Sequence, residues 1–178
     1  MIKIKKIMII FIIFSSLTFS KGYNVNPKDI TESVRIVNAI IFGSENIEHY
    51  NKLIAGTISA ETLYGKYKGK STLGITQISP AGWGYINWKI TDEDKFNLRM
   101  LGIEHSTVKL KDLTNNHILA IAYCSLYYKY KLNGIVPNNL DEYAIAWKKY
   151  YNTSAGSGTI KGFKEKYLVY GKKYLNKY

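Results

Sequence analysis

The chain has little cysteine, little proline and few acids: one Cys, three Pro and thirteen Asp and Glu among 178 residues. A single thiol, Cys124, cannot close an internal disulfide, which leaves it the role of a small buried apolar residue. No His-Glu-x-x-His spacing and no cysteine pair occurs, and His49, His105 and His117 stand apart, so neither a metal nor a cofactor is expected. Zinc-finger, helix-turn-helix and RNA-motif signatures are missing as well, which argues against a nucleic acid partner. Long alternating strand patterns and fixed-period repeats are also lacking. All three prolines, Pro27, Pro80 and Pro137, sit at or just before predicted helix starts. The expected fold class is mainly α, in one domain, because 178 residues are too few for two comfortable cores.

What is abundant is base and tyrosine. Formal charge is +12, with sixteen tyrosines. Lys3, Lys5 and Lys6 precede an apolar run from Ile7 to Phe14, and Thr18-Phe19-Ser20 offers small residues, the form of a secretory signal over residues 1–20. An uncleaved anchor is the competing reading; the run is shorter than the about 20 apolar residues of a membrane span, which favours cleavage near Lys21 and export to the periplasm or cell envelope. Without the three lysines of the signal the charge is +9, a surface drawn to anionic wall polymers or a membrane surface. Lys164, Lys166, Lys172, Lys173 and Lys177 read as one solvated basic face.

Helix signals recur along residues 21–178. Asn26-Pro27-Lys28-Asp29 has cap, first-turn proline and first-turn acid, followed by Ile30, Val34, Val37 and Ile41 at helical spacing until Gly43-Ser44. A second helix is expected over about 45–61, with Ile47, Ile54 and Ile58 inward. From Leu63 to Leu73 the composition points to a loop or short irregular hairpin. Ser79-Pro80 restarts helix into Trp83, Tyr85 and Trp88. Thr91-Asp92-Glu93-Asp94 reads as a capping box of solvated acids before Phe96, Leu98, Met100 and Leu101. The strongest helix, about 117–131, presents Ile118, Ile121, Ala122, Ser125 and Tyr128 on one face and is expected to be central. Its Tyr123, Tyr127, Tyr128 and Tyr130 read as core and flank. Helices over about 140–150, with Tyr143, Ala146 and Trp147 at helical spacing, and about 161–174, with Phe163, Tyr167 and Leu168 inward, complete the pattern around a small-residue loop at 153–158.

Glu61 stands out because it closes an apolar run and no other Asp or Glu follows until Asp92. A carboxyl at a helix end beside a cleft, kept neutral by apolar surroundings, can protonate a leaving oxygen, as glycosidic cleavage requires. Gln77, after the Gly74 turn, offers an amide that meets sugar hydroxyls without titrating, and Trp83 and Tyr85 offer faces for sugar stacking.

Glu61-Thr62, Gly74-Ile75-Thr76-Gln77-Ile78-Ser79-Pro80, and Tyr151-Asn152 followed by Gly156 occur in the order of motifs in the soluble lytic transglycosylases, a family of the lysozyme-like superfamily, and the chain resembles that family over about 47–156. There the motifs read Glu-Ser, Gly-Leu-Met-Gln and Ala-Tyr-Asn-Ala-Gly. The run Ile121 to Tyr128 is similar to the family's Asn-Ile-xx-Gly-xx-Tyr-Leu helix, with Ala120 for its Asn and Cys124 for its Gly. Thr62 replaces Ser and keeps the hydroxyl; three residues, Thr153-Ser154-Ala155, separate Asn152 from Gly156 where the family has one.

The resemblance implies a lysozyme-like helical domain that cleaves the β-1,4 bond between N-acetylmuramic acid and N-acetylglucosamine in peptidoglycan glycan strands, with 1,6-anhydro ring formation. It implies Glu61 as the single acid and base, and Gln77, Tyr151, Asn152, Thr62 and Gly74 as substrate-binding positions, Tyr151 close to Glu61. A hydrolytic muramidase of the same fold and a noncatalytic wall-binding or secretion-apparatus component remain alternatives. Asp92 or Asp141 could arrive as a second acid. Lys66, Lys68 and Lys70 follow Glu61 closely and, if they faced it, would favour its ionised form, so a proton donor at Glu61 requires them to point to solvent.

Overall fold

The computed structural model describes residues 22–68 and 73–178. The signal-like segment 1–20 lies outside them, as does Lys70. The chain is mainly helical, and among the described residues no strand forms; one isolated antiparallel bridge joins Leu73 to Ile78. None of these helices is long and apolar enough to cross a membrane.

Helix α1 spans Pro27–Phe42, its start fixed by Asn26, whose side chain accepts from the Lys28 N–H at 2.9 Å, and its end by Gly43. Helix α2 spans Ile47–Thr62 and stops where Leu63 and Tyr64 turn left-handed. Ser79 caps α3, Pro80–Lys89, and a reciprocal Thr91–Asp94 capping box opens α4, Asp92–Met100. After two short 3-10 turns comes α5, His117–Leu132, capped by Asn116. Helix α6, Leu140–Ala146, runs on into a π turn, Trp147–Asn152; α7, Ile160–Lys166, continues through a second, Tyr167–Gly171, into α8, Lys172–Lys177.

Helix α5 is central as expected, but not through one face. Every side chain from Leu119 to Leu126 is buried, so the helix is enclosed around its whole circumference, while Ile118 is exposed. Helices α1, α2 and α3 pack on it, and α7 with its π turn packs on the outer side of α2. A buried helix must satisfy its polar groups internally. Ser125 Oγ donates to Asn38 Oδ1 at 2.7 Å and Asn38 Nδ2 to Asn51 Oδ1 at 2.9 Å, joining α5, α1 and α2. Cys124 is free and buried within the same cluster.

Two sequence expectations, for Asp94 and for Leu168, are corrected. Asp94 is not a solvated cap: its side chain is fully buried, paired with Lys129 of α5 at 2.7 Å and accepting from Tyr130 and Thr91. Of the apolar residues after that cap, Phe96 and Met100 face outward and Leu98 alone is fully enclosed, because α4 covers α1 with a single stripe. Leu168 is exposed, since the π turn that begins at Tyr167 changes the helical register.

Burial opposes the charge on Asp94, but the bonds from Lys129, Tyr130 and Thr91 outweigh it and hold its pKa below the ordinary Asp value. The carboxylate therefore stabilises the fold above the ordinary Asp pKa, and this contribution is lost as pH falls through the lowered one. Asp94→Ala is expected to lower stability by about 3 kcal/mol at neutral pH, because it leaves Lys129 beside an unfilled site; urea unfolding measures it.

Candidate active site

Glu61 occupies the last turn of α2, where the helix carbonyl ends disfavour negative charge. Its Oε1 accepts from the indole Nε1–H of Trp147 at 2.9 Å, a bond between residues 86 positions apart that places the π turn over the end of α2. Burial pushes the Glu61 pKa up from the ordinary value; the Trp147 bond and the Lys166 ammonium pull against that rise and do not cancel it. The nearby cation is thus Lys166, which donates to the Ala60 carbonyl at 2.8 Å. Lys66 and Lys68 are exposed and sit over the rings of Tyr170 and Tyr23, at 5.1 and 5.7 Å from the ring centroids.

Glu61 opens onto a cleft of about 1110 Å³ whose lining includes Gln77, Tyr151 and Asn152. That volume exceeds the about 300–1,000 Å³ of ordinary small-molecule pockets and suits an oligomer. Tyr67, Tyr85, Tyr127 and Tyr151 supply aromatic wall, Ser79 and Ser157 polar rim, and Lys131 a cation, its ammonium 3.7 Å from the Tyr85 ring centroid. No second carboxylate lines the cleft among the described residues. Asp92 is paired with Lys95 and Asp141 with Lys164, both outside it.

The residues predicted for the site fall into two groups. Glu61, Gln77, Tyr151 and Asn152 share the cleft. Thr62 and Gly74 are substrate-binding expectations that the structure corrects. Thr62 is fully buried, its hydroxyl within hydrogen-bonding range of the Ile58 and Ile75 carbonyls at 3.0 and 2.7 Å and accepting from the Gly65 N–H at 3.1 Å, so it ties the end of α2 to the loop that carries Gln77. Gly74 adopts φ +78°, and a Cβ there would lie 2.7 Å from both the Ala120 Cβ and the Leu113 carbonyl; it is a close contact with α5, not a sugar platform.

Gln77 holds a left-handed backbone, φ +57°, and spends its amide N–H groups on the Gly74 carbonyl at 2.8 Å and the Tyr23 hydroxyl at 2.5 Å. Tyr151 donates from its hydroxyl to the Thr76 carbonyl at 2.7 Å and stacks on Tyr128 with centroids 5.5 Å apart. Burial, then the neighbouring Cys124 and Glu61, push its phenol well above the ordinary tyrosine value, so it stays a neutral donor. Asn152 Oδ1 accepts from Lys148 at 2.8 Å, and the same ammonium holds the Gly156 carbonyl at 2.8 Å, closing the small-residue loop.

Sequence reading missed four contributors. Trp147 was placed by helical spacing alone; its position four residues before Tyr151, and an indole N–H that needs an acceptor when buried, were the signals available. Tyr127 belongs to the cleft wall and not only to the flank of α5. Lys131 and Lys166 carried no local signal. Trp83, offered for sugar stacking, instead stacks on Tyr123 at 4.6 Å inside the fold, and Trp88 is exposed away from the cleft. Comparison with protein-family models, with curated proteins and with solved structures finds no match.

Two expectations follow for Glu61. The indole bond favours the carboxylate, so Trp147→Phe raises the Glu61 pKa further in a carboxyl-carbon NMR titration. The folded chain also holds the Glu61 proton more tightly than the unfolded chain, so stability falls as pH rises from the ordinary Glu value of 4.5 through the raised one. Glu61→Gln removes that loss: its melting temperature exceeds the parent's at pH 7, and the gap closes below about pH 4, seen by calorimetry at a series of pH values.

Proposed function

We propose that the protein is a lytic transglycosylase of lysozyme-like fold, acting on peptidoglycan glycan strands in the cell envelope with Glu61 as its single acid and base. The observation that carries this reading is a lone carboxyl with a raised pKa at the head of an oligomer-sized, tyrosine-walled cleft. The ordered motifs around Glu61, Gln77 and Tyr151, which come together at that cleft, support it.

In this mechanism a glycan strand lies along the cleft with sugar faces against the tyrosines. Trp147 holds one oxygen of the Glu61 carboxyl, and the other, which has no hydrogen bond to the described residues, is the one this mechanism gives to the substrate. Protonated Glu61 donates to the glycosidic oxygen as the bond from the muramoyl C1 breaks. The resulting carboxylate then accepts the proton of the muramoyl C6 hydroxyl as that oxygen closes on C1. Protons balance: one leaves Glu61 to the departing sugar and one returns from C6. Two-carboxylate glycosidases need a partner acid about 5–9 Å away, and among the described residues the cleft offers none. Tyr151 and Gln77 act indirectly, holding the loop at 74–78 against the π turn so that the cleft keeps its width.

Digestion of purified peptidoglycan by residues 21–178, followed by mass analysis of the fragments, tests the reading. New 1,6-anhydro ends are expected, and Glu61→Gln lowers their rate by about 10²–10⁴-fold. Reducing ends without anhydro product would move the reaction to hydrolysis by the same residue, and equal rates for parent and Glu61→Gln would remove Glu61 from the chemistry. No cleavage by either leaves a wall-binding role.

A further inference from the structure

The outer side of the last helical stretch contributes to neither the core nor the cleft. From Ile160 to Lys177, α7, its π turn and α8 form one continuous helical run that packs on α2 and turns Phe163, Tyr167 and Gly171 inward. On the opposite side Lys161, Glu165, Leu168, Val169, Lys172 and Lys173 are exposed, three or four residues apart, and form one stripe along the helix. A helix on the surface of a globular protein ordinarily keeps its apolar residues against the core. Here Leu168 and Val169 leave 49% and 57% of their surface in water, in the middle of the stripe, because the π turn carries them outward.

Around this apolar pair the charge is almost all of one sign. Residues 160–178 hold six lysines and a single acid, Glu165. Lys164 is spent on Asp141 at 2.6 Å and Lys166 on the Ala60 carbonyl at 2.8 Å, both reaching back to the fold. Lys161 lies 3.9 Å from Glu165, which balances that end of the stripe. Lys172, Lys173 and Lys177 make no ion pair among the described residues. Phe96 and Met100 are also exposed, but α4 shows Asp92 and Glu93 to solvent beside Lys95 and Arg99 and has no such bias.

We propose that this face docks on a lipid bilayer rich in anionic headgroups, with the helix lying in the interface and not crossing it. Lipid phosphates meet the uncompensated ammoniums of Lys172, Lys173 and Lys177, whose aliphatic stems let the charge stay at headgroup level while Leu168 and Val169 enter the acyl boundary. A soluble polyanion would take the lysines and leave the Leu-Val pair in water; only a surface with charge outside and hydrocarbon beneath uses both. No residue of 160–178 is among those that line the cleft, so the docked molecule keeps its cleft open. This docking is independent of the chemistry at Glu61.

The test is cosedimentation of residues 21–178, which hold the whole described fold and exclude the apolar run 7–14, with vesicles of equal parts phosphatidylglycerol and phosphatidylcholine. Binding is expected to these vesicles and not to phosphatidylcholine alone. Lys172→Gln with Lys173→Gln weakens it about thirtyfold, and Leu168→Ser with Val169→Ser about tenfold. All four positions are exposed, so a retained melting temperature checks the fold. In the unsubstituted, isotope-labelled protein, spin-labelled lipid broadens the amides of Leu168, Val169 and Lys172 first, a readout that needs no variant. Equal binding to neutral vesicles, full binding by either double variant, or broadening centred on Phe96 and Met100 would overturn the proposal. Capture by a soluble poly(glycerol phosphate) without vesicle binding would give the face to a wall polymer and overturn it as well.

Discussion

Complete enclosure of α5 is the constraint from which the rest follows. A helix with apolar side chains on every side for two turns has no face to give to water, so other elements must surround it. Each polar group it carries then dictates a partner. Ser125 selects Asn38 and, through it, Asn51; Tyr128 selects Thr57, with oxygens 2.9 Å apart; Tyr123 selects His105, at 2.6 Å. These bonds fix α1, α2 and the 3-10 turn that holds His105 about one axis, and the loop at 74–78 is pressed against the same helix through Gly74 and Thr76, whose hydroxyl donates to the Ala120 carbonyl at 3.1 Å.

The candidate site inherits its geometry from that arrangement. Glu61 is carried by a helix that packs on α5, Gln77 by the loop against it, and Tyr151 by a π turn whose ring stacks on α5 through Tyr128. The carboxyl is kept from bulk water by the same packing that orders its neighbours. Two opposing influences act on it: burial raises the pKa, and one indole bond with one ammonium restrains the rise. A side chain so placed keeps its proton longer than a surface glutamate and still has one oxygen held in a fixed direction.

Helix existence was legible because its signals are local. Asn26, Ser79, Thr91, Asn116 and Asn139 each cap the helix that follows them, and each bond spans two or three residues. The cluster of Glu61, Gln77, Tyr151 and Asn152 was legible through motif order. Long-range pairings were not. Asp94 reads as an ordinary cap until Lys129 and Tyr130 arrive from 35 and 36 residues away, and Trp147 reads as core until it meets Glu61. Thr62 and Gly74 fell to the opposite error: motif neighbours of cleft-lining residues were taken as cleft residues too, although in a helix successive side chains point in different directions, and in a tight turn a glycine serves the backbone.

The π turn from Trp147 to Asn152 gives the site a sensitivity to chain length that its loops do not share. A π turn is equivalent to one residue inserted into an α-helix, and each α-helical residue rotates the chain by about 100°. Loss of one residue between Ala146 and Tyr151 would restore regular helix and swing Tyr151 and Asn152 away from the faces that now meet Thr76 and Lys148, with Trp147 left in place. The exposed loop at 153–155 can lengthen or shorten at little cost, as surface loops generally can. Change in this part of the chain is therefore tolerated on one side of Asn152 and forbidden on the other, and the boundary between the two falls at the edge of the cleft.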